Sequence, residues 1–203
     1  LFNQYYGYIG ILPIDSFLIF NSGFDLLNGY YPFKDYWTIK EPFIDLIQAI
    51  FFKVFGVSWF SYIFHASIFN CIITVCTFYL LKKFNLENKF CFFYSICVAI
   101  LFYPTAGTPF SDHHTLIFCL LSLYCFILAI IKKNNIYWFL TPIILGFSFL
   151  SKQAPTIYVI FVITILSIIF FIKSKSIFSF ISAFIGAMVF LILFFILIYL
   201  GNI

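Results

Sequence analysis

From residue 57 onward the chain alternates long apolar runs with short loops that carry lysine. The runs fall at about 57–81, 90–104, 115–131, 136–151, 154–172 and 177–200. A crossing helix needs roughly 17–25 apolar residues, so six spans are predicted. Two of them, 90–104 and 136–151, are short and must borrow flanking residues or thin the bilayer around them. Before residue 57 the pattern changes. From Ser16 to Asn28, the polar residues Asn21, Ser22, Asp25 and Asn28 recur at helical spacing, Phe17, Phe20, Phe24 and Leu27 fill the other face, and Gly29 is placed to end the helix. A second helix is framed by Pro42 at its start and Gly56 at its end, with Glu41, Asp45, Gln48 and Lys53 as one polar stripe on an apolar cylinder. Both read as amphipathic helices lying in the membrane interface, and the second is too charged to cross. A polar, aromatic loop from Tyr30 to Glu41 joins them, and residues 1–14 read as the tail of a helix leading to Pro13. The expected fold class is all-α: a polytopic transmembrane helical bundle with two interfacial amphipathic helices in the first outer loop. One domain is expected over 1–203, divided into an outer loop at 1–56 and about six transmembrane helices at 57–203.

Composition sharpens this picture. Hydrophobic residues make up 64% of the chain, charged residues 9%, and mean hydropathy is +1.11. Soluble domains average about 45–50% apolar and about 25% charged, so a soluble enzyme is excluded. The net charge of +4 is carried by lysine alone, and it reports topology rather than a nucleic-acid partner. Lys82, Lys83 and Lys89, then Lys132 and Lys133, then Lys173 and Lys175 occupy alternate loops, which the positive-inside rule assigns to the cytoplasm. Asp15, Asp25, Asp35, Glu41, Asp45 and Asp112 fall on the opposite side, with Glu87 the exception. The expected localisation is the cytoplasmic membrane, multi-pass, with the chemistry facing outward. Six cysteines lie inside apolar runs without any CxxC spacing, so they read as small buried hydrophobes rather than disulfide or zinc partners. The chain begins at Leu1 and stops three residues after an apolar run, which reads as a fragment of a longer protein.

Chemistry is expected where the acids are. Residues 15–56 hold five of the seven acidic residues and three of the eleven lysines. Facing the same outer side are Asp15, the pairs Lys34-Asp35 and Lys40-Glu41, the run Ser111-Asp112-His113-His114, and Ser151-Lys152-Gln153. Acids and lysines at a membrane boundary suit a lipid-linked phosphate substrate. Lysine neutralises the leaving phosphate, a carboxylate takes the proton of an attacking hydroxyl, and aromatic rings anchor the loop among headgroups. Plainer roles exist for each residue. Asp15 and Asp112 could be helix N-caps, Lys152 a helix end, Lys34 and Lys40 headgroup anchors, and Asp112-His113-His114 metal ligands. His65, alone in a helix body, reads as a hydrogen-bonded structural histidine.

The order of these features resembles the bacterial members of the GT-C glycosyltransferase superfamily, which include protein mannosyltransferases and aminoarabinose transferases of lipid A. The resemblance rests on Asp15, Leu26-Leu27-Asn28-Gly29, Tyr31-Pro32, Asp35, Pro42 and Phe55-Gly56 in the first loop, then on Asp112 and Leu150-Ser151-Lys152. It implies inverting sugar transfer from a polyprenyl-phosphate sugar to a glycan, lipid or protein acceptor. By that resemblance Asp15 would be the base, Asp112 the second acidic residue of the site and Lys152 a donor-phosphate contact, with Asp35 of the first-loop motif a further catalytic candidate. Lys40, Glu41, His113 and His114 would line the substrate site, and the departing phosphate would be stabilised by lysine with or without a divalent metal. Two departures stand out: Ser16 follows Asp15 where many relatives carry Glu, and Glu41 rather than a lysine directly precedes Pro42. The competing readings are a lipid-linked oligosaccharide flippase or other transporter, and a non-catalytic membrane relative. A transport path usually shows as ionisable residues along the helices, which this chain keeps nearly free of charge.

Overall fold

The structure is a computed structural model that describes residues 2–10, 15–37 and 42–201, with the side chains of Asp15, Thr105 and Leu200 outside that description. Among the described residues it is all-α, with no strand and a single isolated bridge between Pro32 and Tyr36. The helices are α1 (Phe2–Tyr6), α2 (Asp15–Leu27), α3 (Phe43–Phe55), α4 (Trp59–Lys83), α5 (Asn88–Leu101), α6 (Ser111–Lys132), α7 (Asn135–Ser151), α8 (Gln153–Ser174) and α9 (Ile177–Gly201). They form two compact units, Leu1–Ile117 and Phe118–Ile203.

In the first unit local chemistry sets the helix ends. Gly29 closes α2 in the left-handed region at φ 87°, and Tyr30 N–H reaches back to the Asp25 carbonyl, the long return bond of a Schellman end. Gly56, at φ 80°, ends α3. Two residues later the Ser58 hydroxyl accepts the Ser61 N–H at 3.2 Å and starts α4, as an N-cap serine does. The core gathers Ile19, Ile44, Phe52 and Tyr62, with Phe20, Leu27 and Trp59 packed around them. Phe20 meets Phe52 and Tyr62 edge-on at 4.9 and 5.3 Å, the arrangement ring quadrupoles favour. Gly23 lets α2 and α3 touch, because a Cβ there would stand 2.7 Å from Gln48 Cγ. The Trp59 indole donates to the Gly7 carbonyl at 3.0 Å, tying α1 down. Asn70 Nδ2 donates to the Ala99 carbonyl near the end of α5 at 2.9 Å, one of the carbonyls a helix terminus leaves without an internal partner.

Two residues of the α3 polar stripe, Asp45 and Gln48, lie inward. They are buried beside Ile44, Ala49 and Phe52, while Ile50, Val54 and Phe55 are exposed together with Lys53. Glu41, the first residue of that stripe, is outside the described residues.

In the second unit Phe126, Ala129, Trp138, Leu145 and Ile163 make the core. Asn134 Oδ1 accepts the Ile136 N–H at 2.9 Å and caps α7. The α7–α9 contact depends on two glycines. A Cβ on Gly186 would lie 2.1 Å from the Phe139 carbonyl oxygen, and one on Gly146 would lie 2.3 Å from the Phe190 ring. Small residues at crossings are how apolar helices approach when lipid gives no hydrophobic drive. Some polar atoms find partners on neighbouring helices: Ser148 Oγ meets Thr156 Oγ1 at 2.8 Å and Cys119 Sγ at 3.0 Å, and Ser122 donates to the Thr141 carbonyl.

All six predicted spans are helices, with ends shifted by a few residues. Four are long and apolar enough to cross a membrane: Trp59–Lys83, Ser111–Lys132, Gln153–Ser174 and Ile177–Tyr199. The other two, α5 and α7, have 14 and 17 residues, about 21 and 26 Å at 1.5 Å per residue. On α8 and α9 the apolar side chains are largely bare, among them Phe161, Ile172, Phe178, Phe195 and Tyr199. Surfaces of that kind belong in lipid or against further protein.

Candidate active site

The segment that precedes α3 brings three carboxylates to the neighbourhood of α2. Asp15 is the first residue of α2, although its side chain is outside the described set. Asp25 is on the third turn, and with Tyr30, Asp35 and Tyr36 it lines an open cleft of about 180 Å³. Asp35 is exposed and braced by its own loop: Oδ2 accepts the Tyr31 N–H at 2.8 Å, and the Asp35 N–H returns to the Tyr31 carbonyl at 2.8 Å. Such side-chain bonds back to the chain are why aspartate shapes tight turns. The Lys34 ammonium stands 5.9 Å from the centre of the Tyr31 ring. Tyr36 forms the cleft's inner wall, its hydroxyl pointing to the Ser22 carbonyl at 3.4 Å. Burial chiefly, and then the charges of Asp45 and Asp25, hold its phenol above the ordinary tyrosine range. Lys40 and Glu41 fall outside the described residues.

Asp112 occupies the first turn of α6, exposed, with Ser111 buried before it. A carboxylate there is favoured by the helix dipole. The two following histidines turn inward. His113 is 7% exposed and His114 fully buried. His114 is bonded at both ring nitrogens: Nδ1 to the Phe110 carbonyl at 2.9 Å, and Nε2 to His65 Nε2 at 2.9 Å. His65 continues through its Nδ1 to Gln48 Oε1 at 2.8 Å. Phe51 stacks on His65 at 4.8 Å, and Phe69 closes on both imidazoles. His113 lies by the Phe102 carbonyl, though neither of its ring nitrogens makes a well-formed hydrogen bond. Burial suits both α6 histidines to support rather than to substrate contact. Sequence reasoning found His65 and Gln48 separately but not the chain that joins them. The signal was present only as two polar residues in apolar helices.

In the second unit Lys152 is a break of one residue between α7 and α8. Its backbone is extended at φ −167° and ψ 129°, and its N–H still closes onto the Ser148 carbonyl at 3.0 Å. Ser151 before it is fully buried, and Lys152 itself is half-buried. A lysine at such a break lies beside the first N–H groups of α8, which lack helical partners, so ammonium and amides can face one anion. Among the described residues no group of three His, Cys, Asp or Glu comes together that could hold a metal ion.

The exceptional charge of the Lys-rich loops is also placed. Glu87 precedes α5 and pairs with Lys89 at 2.7 Å, both on the exposed surface.

Neither the curated proteins nor the solved structures gave a match to this chain. The family model for dolichyl-phosphate-mannose-protein mannosyltransferases matches residues 40–199. That stretch covers α3 to α9 and contains Asp112 and Lys152, while Asp15 and Asp35 precede it. All-α architecture, four long apolar helices and this match agree, and the chain belongs to the dolichyl-phosphate-mannose-protein mannosyltransferase family, as a membrane glycosyltransferase of the mannosyltransferase type.

Proposed function

We propose that the protein moves a sugar, with inversion, from a polyprenyl-phosphate-linked donor to an envelope glycan, lipid or protein acceptor on the outer face of the cytoplasmic membrane. The observation that carries this reading is the family match running through both Asp112, at the head of α6, and Lys152, in the α7–α8 break. Asp15, at the head of α2, is the base that takes the acceptor hydroxyl proton. The resulting oxygen attacks the anomeric carbon, and the bond from that carbon to the phosphate oxygen breaks with its electrons on the phosphate. Lys152 is the donor-phosphate contact, and Lys40 and Glu41 are assigned to substrate binding. Asp112 is the second acid and orients the acceptor, with Asp35 holding the aromatic loop in register.

Positioned general-base catalysis contributes roughly 10²–10⁴-fold, so Asp15→Asn is expected to lower transfer by about that factor at unchanged protein abundance. The assay uses membrane vesicles and radiolabelled polyprenyl-phosphate sugars. Undiminished transfer in the Asn variant moves the base to Asp112 or Asp35. Lipid-linked sugar crossing the bilayer without transfer would instead favour a flippase, and no transfer together with a cellular function that survives replacement of Asp15, Asp35 and Asp112 a non-catalytic relative.

A further inference from the structure

The hydrogen-bond chain Gln48–His65–His114–Phe110 carries a constraint on protons. The Phe110 carbonyl only accepts, so His114 Nδ1 bears a hydrogen and His114 Nε2 is a bare acceptor when the ring is neutral. His65 Nε2, 2.9 Å away, must then be the donor. A neutral His65 protonated at Nε2 has a bare Nδ1, and the group at Gln48 that faces it must donate. With Oε1 toward His65, Gln48 would confront that lone pair with another and would leave Nε2 buried with no partner. A half-turn of the carboxamide removes the conflict. The alternative, a third proton on the pair, makes a cation among Phe51, Phe69 and His113. Such a wall is a costly place for charge.

Geometry says what the chain does. It starts on α3, crosses α4 and ends on the carbonyl two residues before Asp112, from a ring two residues after it. The same carbonyl also receives the His114 backbone N–H at 3.1 Å. The backbone that presents Asp112 is therefore clasped on both sides. We propose that Gln48, His65 and His114 are positioning residues: an uncharged, one-way chain of N–H donors from the Gln48 amide to the Phe110 carbonyl that fixes the first turn of α6, and with it Asp112. Asp45 is buried one turn before Gln48 on α3, Tyr62 stands one turn before His65 on α4, and His113 lies against His114. The positioning role rests on the reading of Asp112 as an acid of the transfer site; the direction of the chain does not.

Two variants and one spectrum test it, on the protein in membrane vesicles with a radiolabelled polyprenyl-phosphate sugar. His65→Leu keeps bulk and removes both ring nitrogens. His65→Gln sets an amide N–H where the ring Nε2–H was, so it still donates to His114. A misplacement on the ångström scale costs about 100-fold. The Leu variant is therefore expected to lose about 10- to 100-fold in kcat with donor KM unchanged, and the Gln variant to recover most of it. Equal losses in both variants, or no loss in either, would overturn the positioning role. The ¹⁵N spectrum of histidine-labelled protein reads the chain without any transfer. Of the three rings, with the His113 signals assigned by their loss in His113→Gln, His65 is expected neutral and bare at Nδ1 and His114 neutral and bare at Nε2. A doubly protonated His65 or His114, or a His65 bare at Nε2, overturns the uncharged chain. Wild-type protein that transfers no sugar but gives the expected spectrum would sink the transferase reading and the positioning role, and leave the chain standing.

Discussion

A single glycine decides whether the buried chain can form. Gly23 on α2 lies against Gln48, where an added Cβ would come within 2.7 Å of Cγ and 2.9 Å of Cβ. Gln48 is fully buried and bonded to His65, so its side chain cannot swing aside without breaking that contact. Overpacking of this kind costs about 1–3 kcal/mol. Gly23→Ala is therefore expected to lower the thermal midpoint in detergent and to disturb the His65 ¹⁵N signals, whereas Asn21→Ala, on an exposed position of the same helix, should do neither. A Gly23→Ala protein indistinguishable from wild type would show that α3 is free to retreat. Tyr36 offers a test through pH. Burial and the charges of Asp45 and Asp25 penalise its ionised form in the folded state, so the folded phenol keeps its proton above the pH where an unfolded tyrosine, near 10.0, loses it. Between those two values the unfolded chain binds fewer protons, and stability falls as pH rises. Its contribution is complete below about pH 10. Tyr36→Phe should flatten the alkaline loss of thermal stability seen above about pH 10. An equally steep loss in the Phe variant would assign the effect to other groups.

At the scale of elements, the α7–α9 crossing allows a comparison between two superficially equivalent glycines. At Gly186 the added carbon would meet the Phe139 carbonyl oxygen at 2.1 Å, and backbone cannot rotate away. At Gly146 it would meet the Phe190 ring at 2.3 Å, a side chain that can turn. Gly186→Ala is thus expected to separate the helices and reduce the melting point in detergent, by the equivalent of about 1–3 kcal/mol or more. Gly146→Ala should cost less. The reverse order would show that Phe190, not the backbone, is the fixed partner. These crossings were not legible in the sequence, because a glycine in an apolar run gives no hint of which helix it touches. The helices themselves were legible, since apolar runs and their lysine punctuation mark spans directly. The clearest discrepancy, α6 beginning at Ser111 rather than near 115, arises because an apolar window skips Asp112, His113 and His114, although all three are helical. The same limit hid the chain through Gln48. Helical period places Gln48 and Asp45 on one stripe, and a stripe of that kind was read as facing headgroups. The structure turns it inward onto α4, with Ile50 and Val54 bare instead.

For the whole molecule the question is which side of the membrane each helix end occupies, and α5 decides it. Lys82 and Lys83 end α4, and Glu87 and Lys89 begin α5. Fourteen residues give α5 about 21 Å, against a hydrocarbon core of about 30 Å. Length alone argues that α5 turns back. Its surface argues the other way, since Phe90, Phe92, Phe93, Tyr94, Ile96, Ile100 and Leu101 are all exposed and would meet water on a helix that left the bilayer. Charge sides with the surface. If α5 crosses, Lys82, Lys83, Lys89, Lys132, Lys133, Lys173 and Lys175 share one face, and Asp112 and Lys152 share the other with the first loop. If α5 turns back, Asp112 joins the lysines of the α4–α5 loop, and an outward site holding both Asp15 and Asp112 cannot form. The expected outcome is therefore crossing, with the bilayer thinned or the 102–110 linker drawn into the headgroups. Cysteines placed singly at Glu87 and Asp112, in a protein with its native cysteines replaced, separate the two cases. A membrane-impermeant maleimide added to intact cells should label position 112 at once and position 87 only after permeabilisation. Labelling of neither position until the membrane is opened would put Asp112 inside and end the outward-facing transferase reading, whatever the fate of Asp15.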